Sequence, residues 1–188
     1  MASPKRTSAL AGLFAEDRPQ DTDPAITLHA IEDLYKYTLR GGASTAATVA
    51  ADLAIDPPSA ILRLAGDDRQ RMAQLGPDEW LIVSREPYDP GNALDGTRHA
   101  LVDISERLLA IGLQGPAART VLAGGCPLDL HEDRIEPGFA SRTVMGKADI
   151  VLECLAGDSF ILHTNRSFME YLWLLLVELG REHGVKTT

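Results

Sequence analysis

Between Phe168 and Leu179 the chain carries only two charges, Glu170 and Glu178, inside a helix predicted over Ser167–His183. Phe168, Leu172, Leu175, Leu176 and Leu179 fall at i, i+4, i+7, i+8 and i+11, one continuous core stripe. Tyr171, Trp173, Leu174 and Val177 occupy much of the remaining surface, so the helix is apolar nearly all round. A small domain ordinarily covers one face of such a helix. Either this helix is central and enclosed, or its second face docks on another chain. Burying a Trp-sized side chain is worth roughly 3 kcal/mol, and a face of that kind left in water favours aggregation. Trp and Tyr are also common interface anchors. The segment therefore marks Tyr171, Trp173, Leu174 and Val177 as candidate partner contacts.

The rest of the chain alternates strand and helix signals. Residues 1–25 are polar and proline-punctuated and read as an N-terminal arm. Its apolar patch makes Leu10, Leu13 and Phe14 candidate anchors on a partner. Residues 26–183 read as a single α+β domain made of two subdomains, and 184–188 as a tail. Ile26–Ile31 and Tyr35–Arg40 alternate apolar and polar side chains, as half-buried strands do. A short helix is expected over Thr45–Leu53, a strand over Ala60–Leu64 and a short helix over Asp67–Leu75. Gly76-Pro77-Asp78 is turn chemistry leading into a strand at Trp80–Val83. A weak helix is expected over Ala93–Ala100, then strands at Leu101–Ser105 and Leu108–Leu113. Gly115-Pro116 opens a helix to about Ala123, which Gly124-Gly125 closes. After an acidic, proline-containing loop over Cys126–Gly138, two antiparallel strands are expected at Val144–Leu155 and Ser159–Thr164. This order, β-β-(α)-β-α-β followed by β-β-α-β-β-α, implies two fused α+β units sharing sheets.

Composition narrows the function classes. With 18 Lys and Arg against 27 Asp and Glu the 188-residue chain has a formal charge of −9, which argues against nucleic acid as its partner. Cys126 and Cys154 form no CxxC pair and read as two reduced, packed thiols of a cytoplasmic protein. The apolar run Ala9–Ala15 is short and is followed at once by Glu16-Asp17-Arg18-Pro19, so no signal peptide is expected. No apolar run approaches the roughly 20 residues needed to span a bilayer.

A search for chemistry finds little. There is no GxGxxG or Walker loop, no HxxxH or HxH spacing and no GxSxG elbow. Asp129-Leu130-His131-Glu132-Asp133 reads as a solvated acidic loop, with a weak oxygen/nitrogen metal cluster as the other possibility. Asp103 and Asp149 each follow or interrupt apolar strand residues. Either could be a buried general acid or base, or an ordinary hydrogen-bonded or outward-facing carboxylate. No catalytic or metal-binding residue is assigned.

Several motifs in order carry a family resemblance: Leu75-Gly76-Pro77-Asp78-Glu79-Trp80-Leu81, Asp103-Ile104-Ser105, Gly112-Leu113-Gln114-Gly115-Pro116-Ala117-Ala118-Arg119, Gly125-Cys126-Pro127-Leu128-Asp129-Leu130 and Asn165-Arg166-Ser167-Phe168-Met169-Glu170-Tyr171-Leu172-Trp173. From about Leu28 to Leu179 the chain resembles the gamma subunit of heterotetrameric sarcosine oxidase. That family in turn resembles the folate-binding part of the glycine-cleavage T-protein. The resemblance implies two intertwined ferredoxin-like subdomains, without the T-protein's extra C-terminal domain. It implies a non-catalytic structural subunit of a complex that oxidises N-methylglycine to glycine, yielding hydrogen peroxide with formaldehyde or 5,10-methylenetetrahydrofolate. The complex would carry FAD, FMN, NAD and zinc on other subunits and use tetrahydrofolate, with no cofactor on this chain. The large alpha subunit is the first partner expected. A subunit of a related N-methyl amino acid oxidase or dehydrogenase is an alternative. A free-standing folate-binding protein is another; for it the T-protein's strand acid would correspond to Asp149 in Ala148-Asp149-Ile150-Val151-Leu152.

Overall fold

The computed structural model describes Leu10 and residues 24–188. Its strands form one 11-stranded sheet that the chain enters twice. The first strand, β1 (Ile26–Ile31), belongs to one half of the sheet. The chain then crosses to build the other half from β2 (Tyr35–Gly41), α1 (Ala43–Asp52), β3 (Arg63–Gly66), β4 (Gln70–Gln74), β5 (Glu79–Ser84) and β6 (His99–Asp103). It returns with β7 (Leu108–Gln114), α2 (Ala118–Ala123), β8 (Phe139–Met145), β9 (Ala148–Ala156), β10 (Ser159–Asn165), α3 (Met169–Gly180) and β11 (Val185–Thr187). The strand order is β11-β1-β7-β10-β9-β8-β3-β4-β5-β2-β6, antiparallel except for the β1–β11 pair. The two halves meet where Arg63 of β3 pairs with Phe139 of β8. They are thus intertwined in an α+β fold.

Strand side chains alternate between faces, so each half has an outer and an inner layer. On the outer face of the β2–β6 half, Tyr37, Leu39, Met72, Trp80 and Ile82 pack with Ala46, Val49 and Ala50 of α1. On the other half, Leu28, Ile111, Leu113, Leu152, Phe160 and Leu162 pack under α2 and α3. The inner faces meet each other: Ala73, Leu81 and Val83 from one half lie against Leu108, Ala140 and Val151 from the other.

Several expectations are corrected. The segment Asp67–Leu75 is not helical but supplies β4 of a hairpin. Gly66 turns at φ 112°, and the Asp67 carboxylate accepts the Arg69 and Gln70 amides at 2.7 and 3.1 Å. Both faces of β4 are covered, so its Met72 and Ala73 are buried together and the alternation that marks a strand is lost. Ala93–Ala100 is a run of turns with i to i+3 backbone bonds, ending in β6. The expected Ala60–Leu64 strand starts only at Arg63, because Leu62 sits at φ 67°. The helix expected from Gly115-Pro116 begins at Ala118. The single strand expected over Val144–Leu155 is two: Gly146 at φ 60° turns β8 into β9. The last helix runs over Met169–Gly180, between short 3-10 turns at Arg166–Phe168 and Arg181–His183. The residues expected as a tail form β11.

The predicted core stripe also shifts. Met169, Leu172, Trp173 and Leu176 are the buried side chains of α3, while Phe168 lies outside it. Trp173 is 3% exposed in the chain's own core, and Leu10 is 1% exposed in the same cluster. Neither presents a surface to a partner, which corrects their assignment as contacts. Leu13 and Phe14 lie outside the described residues.

Candidate functional site

The most unusual chemistry in the molecule lies at the seam between the inner faces. Arg71 on β4, Glu153 on β9 and His163 on β10 are each 3% exposed or less. Register explains their meeting. Arg71 pairs across to Val83, which pairs with Lys36, so Lys36 and Arg71 share the inner face of one half. Glu153 pairs with Ile161, and His163 with Val151, on the inner face of the other. Arg71 donates from Nε to Glu153 Oε2 at 2.9 Å, its Nη2 lies 2.8 Å from the same oxygen, and His163 Nε2 lies 3.0 Å from it. Lys36, also buried, donates from Nζ to the Leu34 carbonyl at 3.4 Å.

Burial is the largest single influence on Glu153 and would raise its pKa, but the charges and hydrogen bonds of Arg71 and His163 together outweigh it and hold the carboxyl down at about 2. Burial pushes His163 below its ordinary value, and the nearby Glu153 only partly offsets this. The cluster is therefore an Arg–Glu ion pair with a neutral imidazole beside it. Its chemistry is that of a clamp. Glu153 is ionised and committed to Arg71, and His163 has no exposed surface from which to exchange a proton with a substrate. A second, surface cluster spans the same halves: Glu79 of β5 sits between Arg40 of β2, 3.0 Å away, and Arg142 of β8.

Two clefts are lined in part by the β1–β2 connection. One, about 610 Å³ with its open mouth included, is lined by Ile31, Leu34, Lys36, Ser105, Glu106 and Arg166. The other, about 820 Å³, runs between the inner faces past His29, Glu32, Asp68, Arg71 and Arg85. Gly112 forms part of its floor. A Cβ there would lie 2.1 Å from the His29 ring, so the glycine is what lets that ring lie flat on β7. Two arginines and two acids line this second cleft, so it has no single-signed field to concentrate an anion.

The carboxylates singled out from sequence do not join either cleft. Asp149 is exposed near the start of β9 and is not a buried acid. Asp103 is likewise exposed, and its Oδ1 accepts the Ser105 amide at 2.8 Å and the Ser105 hydroxyl at 2.5 Å, a turn-fixing role. The Asp129–Asp133 segment is solvated, with His131 3.4 Å from Asp133. Among the described residues no group of three or more His, Cys, Asp and Glu could hold a metal ion. Cys126 and Cys154 are buried free thiols. On α3, Tyr171 and Leu174 are 37% and 38% exposed, and Val177 is half-buried. The Tyr171 hydroxyl accepts the Lys147 amide at 3.1 Å, which fixes the β8–β9 turn against the helix. No described helix is long and apolar enough to cross a membrane.

The fold and the buried seam define a class: an intertwined two-half α+β protein whose ionisable core joins its halves. The glycine cleavage system aminomethyltransferase T of Bartonella henselae shares this fold, with a TM-score of 0.62 at 15% identity. That match covers 89% of this chain but 48% of the other. Residues 40–182 match the sarcosine oxidase, gamma subunit family, and the chain belongs to that family. It is 30% identical over 160 residues to the sarcosine oxidase subunit gamma of Corynebacterium sp. (strain U-96), covering 80% of this chain and 78% of that one. A chain of the heterotetrameric sarcosine oxidase from Corynebacterium sp. U-96, solved in complex with pyrrole 2-carboxylate, superposes with a TM-score of 0.86 at 27% identity. That superposition covers 95% of this chain and 96% of the other.

Proposed function

We propose that this chain is a non-catalytic structural subunit of a heterotetrameric oxidase that demethylates N-methylglycine. The net reaction of such a complex consumes sarcosine, oxygen and water and yields glycine, formaldehyde and hydrogen peroxide. The flavin, nicotinamide and zinc groups would lie on companion subunits, where tetrahydrofolate would also accept the one-carbon unit. One observation carries this reading: nearly the full length of the chain superposes on nearly the full length of a chain of that oxidase. The buried seam supports it, since the ionisable cluster is spent on joining the halves. On this reading Tyr171, Leu174 and Val177 are the part of the last helix left to meet a companion chain.

Co-expression tests the proposal. With the chain omitted, companion subunits should assemble poorly while keeping their flavins. The isolated chain should consume no oxygen with sarcosine. Sarcosine oxidation or flavin binding by the isolated chain would overturn the reading.

A further inference from the structure

The strand β6 is the last in the sheet order, pairing with β2 on one side only. Among the described residues nothing pairs with its other edge. Four of its five residues are exposed, and Val102, at 51%, is the most exposed large apolar side chain described. Natural proteins blunt such an edge with lysines, prolines, bulges or a covering loop. Here the strand reads His99-Ala100-Leu101-Val102-Asp103, with no lysine and no proline, and its register with β2 runs unbroken. An unpaired row of backbone N–H and C=O groups is completed by an added strand.

We propose that this edge receives an extended segment of a companion subunit, lengthening the sheet by one strand. This rests on the functional reading above, which supplies the companion. The edge also states the chemistry of its occupant. Arg98 and His99 stand exposed at one end and Asp103 at the other, with Val102 between them. The matching strand carries an acid opposite His99 and a base opposite Asp103 on one face, and an apolar β-branched or aromatic residue near Val102 on the other.

Hydrogen exchange on the assembled complex and on the free chain tests this. The outward-facing amides of His99, Leu101 and Asp103 should slow at least tenfold on assembly, since those of Ala100 and Val102 already face β2. Val102→Lys should weaken assembly at least tenfold while leaving the free chain's melting temperature unchanged, since Val102 contributes little to the chain's own core. A complex in which those outward-facing amides exchange as freely as before, or in which Val102→Lys assembles like the parent, overturns this proposal alone. An isolated chain that dimerises, and loses the dimer on Val102→Lys, assigns the edge to a second copy and overturns it too. A chain that captures no companion at all overturns the functional reading as well.

Discussion

Replacing Glu153 with Gln should strip the seam of its buried anion while keeping its shape. Arg71 is 3% exposed, with Nε 2.9 Å and Nη2 2.8 Å from the carboxylate oxygen that Gln would replace. The guanidinium would then be a buried cation facing a neutral amide. Breaking one side of a buried pair costs about 3–5 kcal/mol, and the retained amide oxygen places Glu153→Gln near the lower end. For a chain of this size each kcal/mol moves the melting temperature by about 2–4 °C, so a drop of roughly 6–12 °C is expected. Arg71→Met combined with Glu153→Leu should recover most of it, because removing both charges leaves neither uncompensated. Differential scanning calorimetry at pH 7 measures all three proteins. A Glu153→Gln variant within about 1 kcal/mol of the parent would refute the claim that this pair clamps the halves together.

The same clamp sets a pH dependence. Glu153 is held near 2 against an ordinary value of 4.5, so its contribution is fully present above about pH 4.5 and is lost as pH falls toward 2. His163 is depressed below 6.5, so stability tied to its neutral form is present above that value and declines below it. Both slopes run toward acid instability. His163→Gln should remove the component that starts near pH 6.5 and leave the lower one, as chemical denaturation across pH would show.

Other consequences follow from single contacts. Arg119 donates to the carbonyls of Leu130 and Gly157, each at 2.6 Å, and of Ile135 at 3.0 Å, and lies 5.1 Å from the centre of the Phe160 ring. A lysine cannot reproduce that fork, so Arg119→Lys should cost about 2 kcal/mol and speed limited proteolysis within residues 126–138. Trp173→Ala should cost about 3–5 kcal/mol in urea unfolding, whereas Leu174→Ala, one residue on and exposed, should cost under about 1 kcal/mol. Gly115 sits at φ 123°, where a Cβ would meet the Ala25 carbonyl oxygen at 2.3 Å. Gly115→Ala should therefore lower stability by at least about 2 kcal/mol in the same assay.

The elements legible in the sequence were those with local signals. Ile26–Ile31 alternates because Ile26 and Leu28 are buried while the residues between them are not, and Tyr35–Arg40 alternates in residue type although Lys36 and Tyr37 are both buried. Gly76-Pro77-Asp78 marks a turn wherever it stands. Segments whose identity depends on tertiary cover were misread: β4 is buried on both faces and carries no alternation. The helix over 169–180 was visible, but its buried side was not, since its nearly uniform apolarity gives no direction. The seam was missed because Arg71, Glu153 and His163 lie up to 92 positions apart and meet only through strand register. One signal did exist: Glu153 and His163 each interrupt an apolar strand, as Asp149 does, but only Glu153 is buried against a cation, Arg71. Asp149 interrupts β9 in the same way but faces solvent.

The central claim is that this chain completes an oxidase built of other subunits. Purification from its native cells at mild salt, followed by absorbance and subunit analysis of the fraction containing the chain, tests it most directly. The account predicts a yellow, sarcosine-oxidising assembly in which the chain is present in fixed ratio with larger subunits. A colourless fraction holding this chain by itself, while sarcosine oxidation elutes elsewhere, would contradict it.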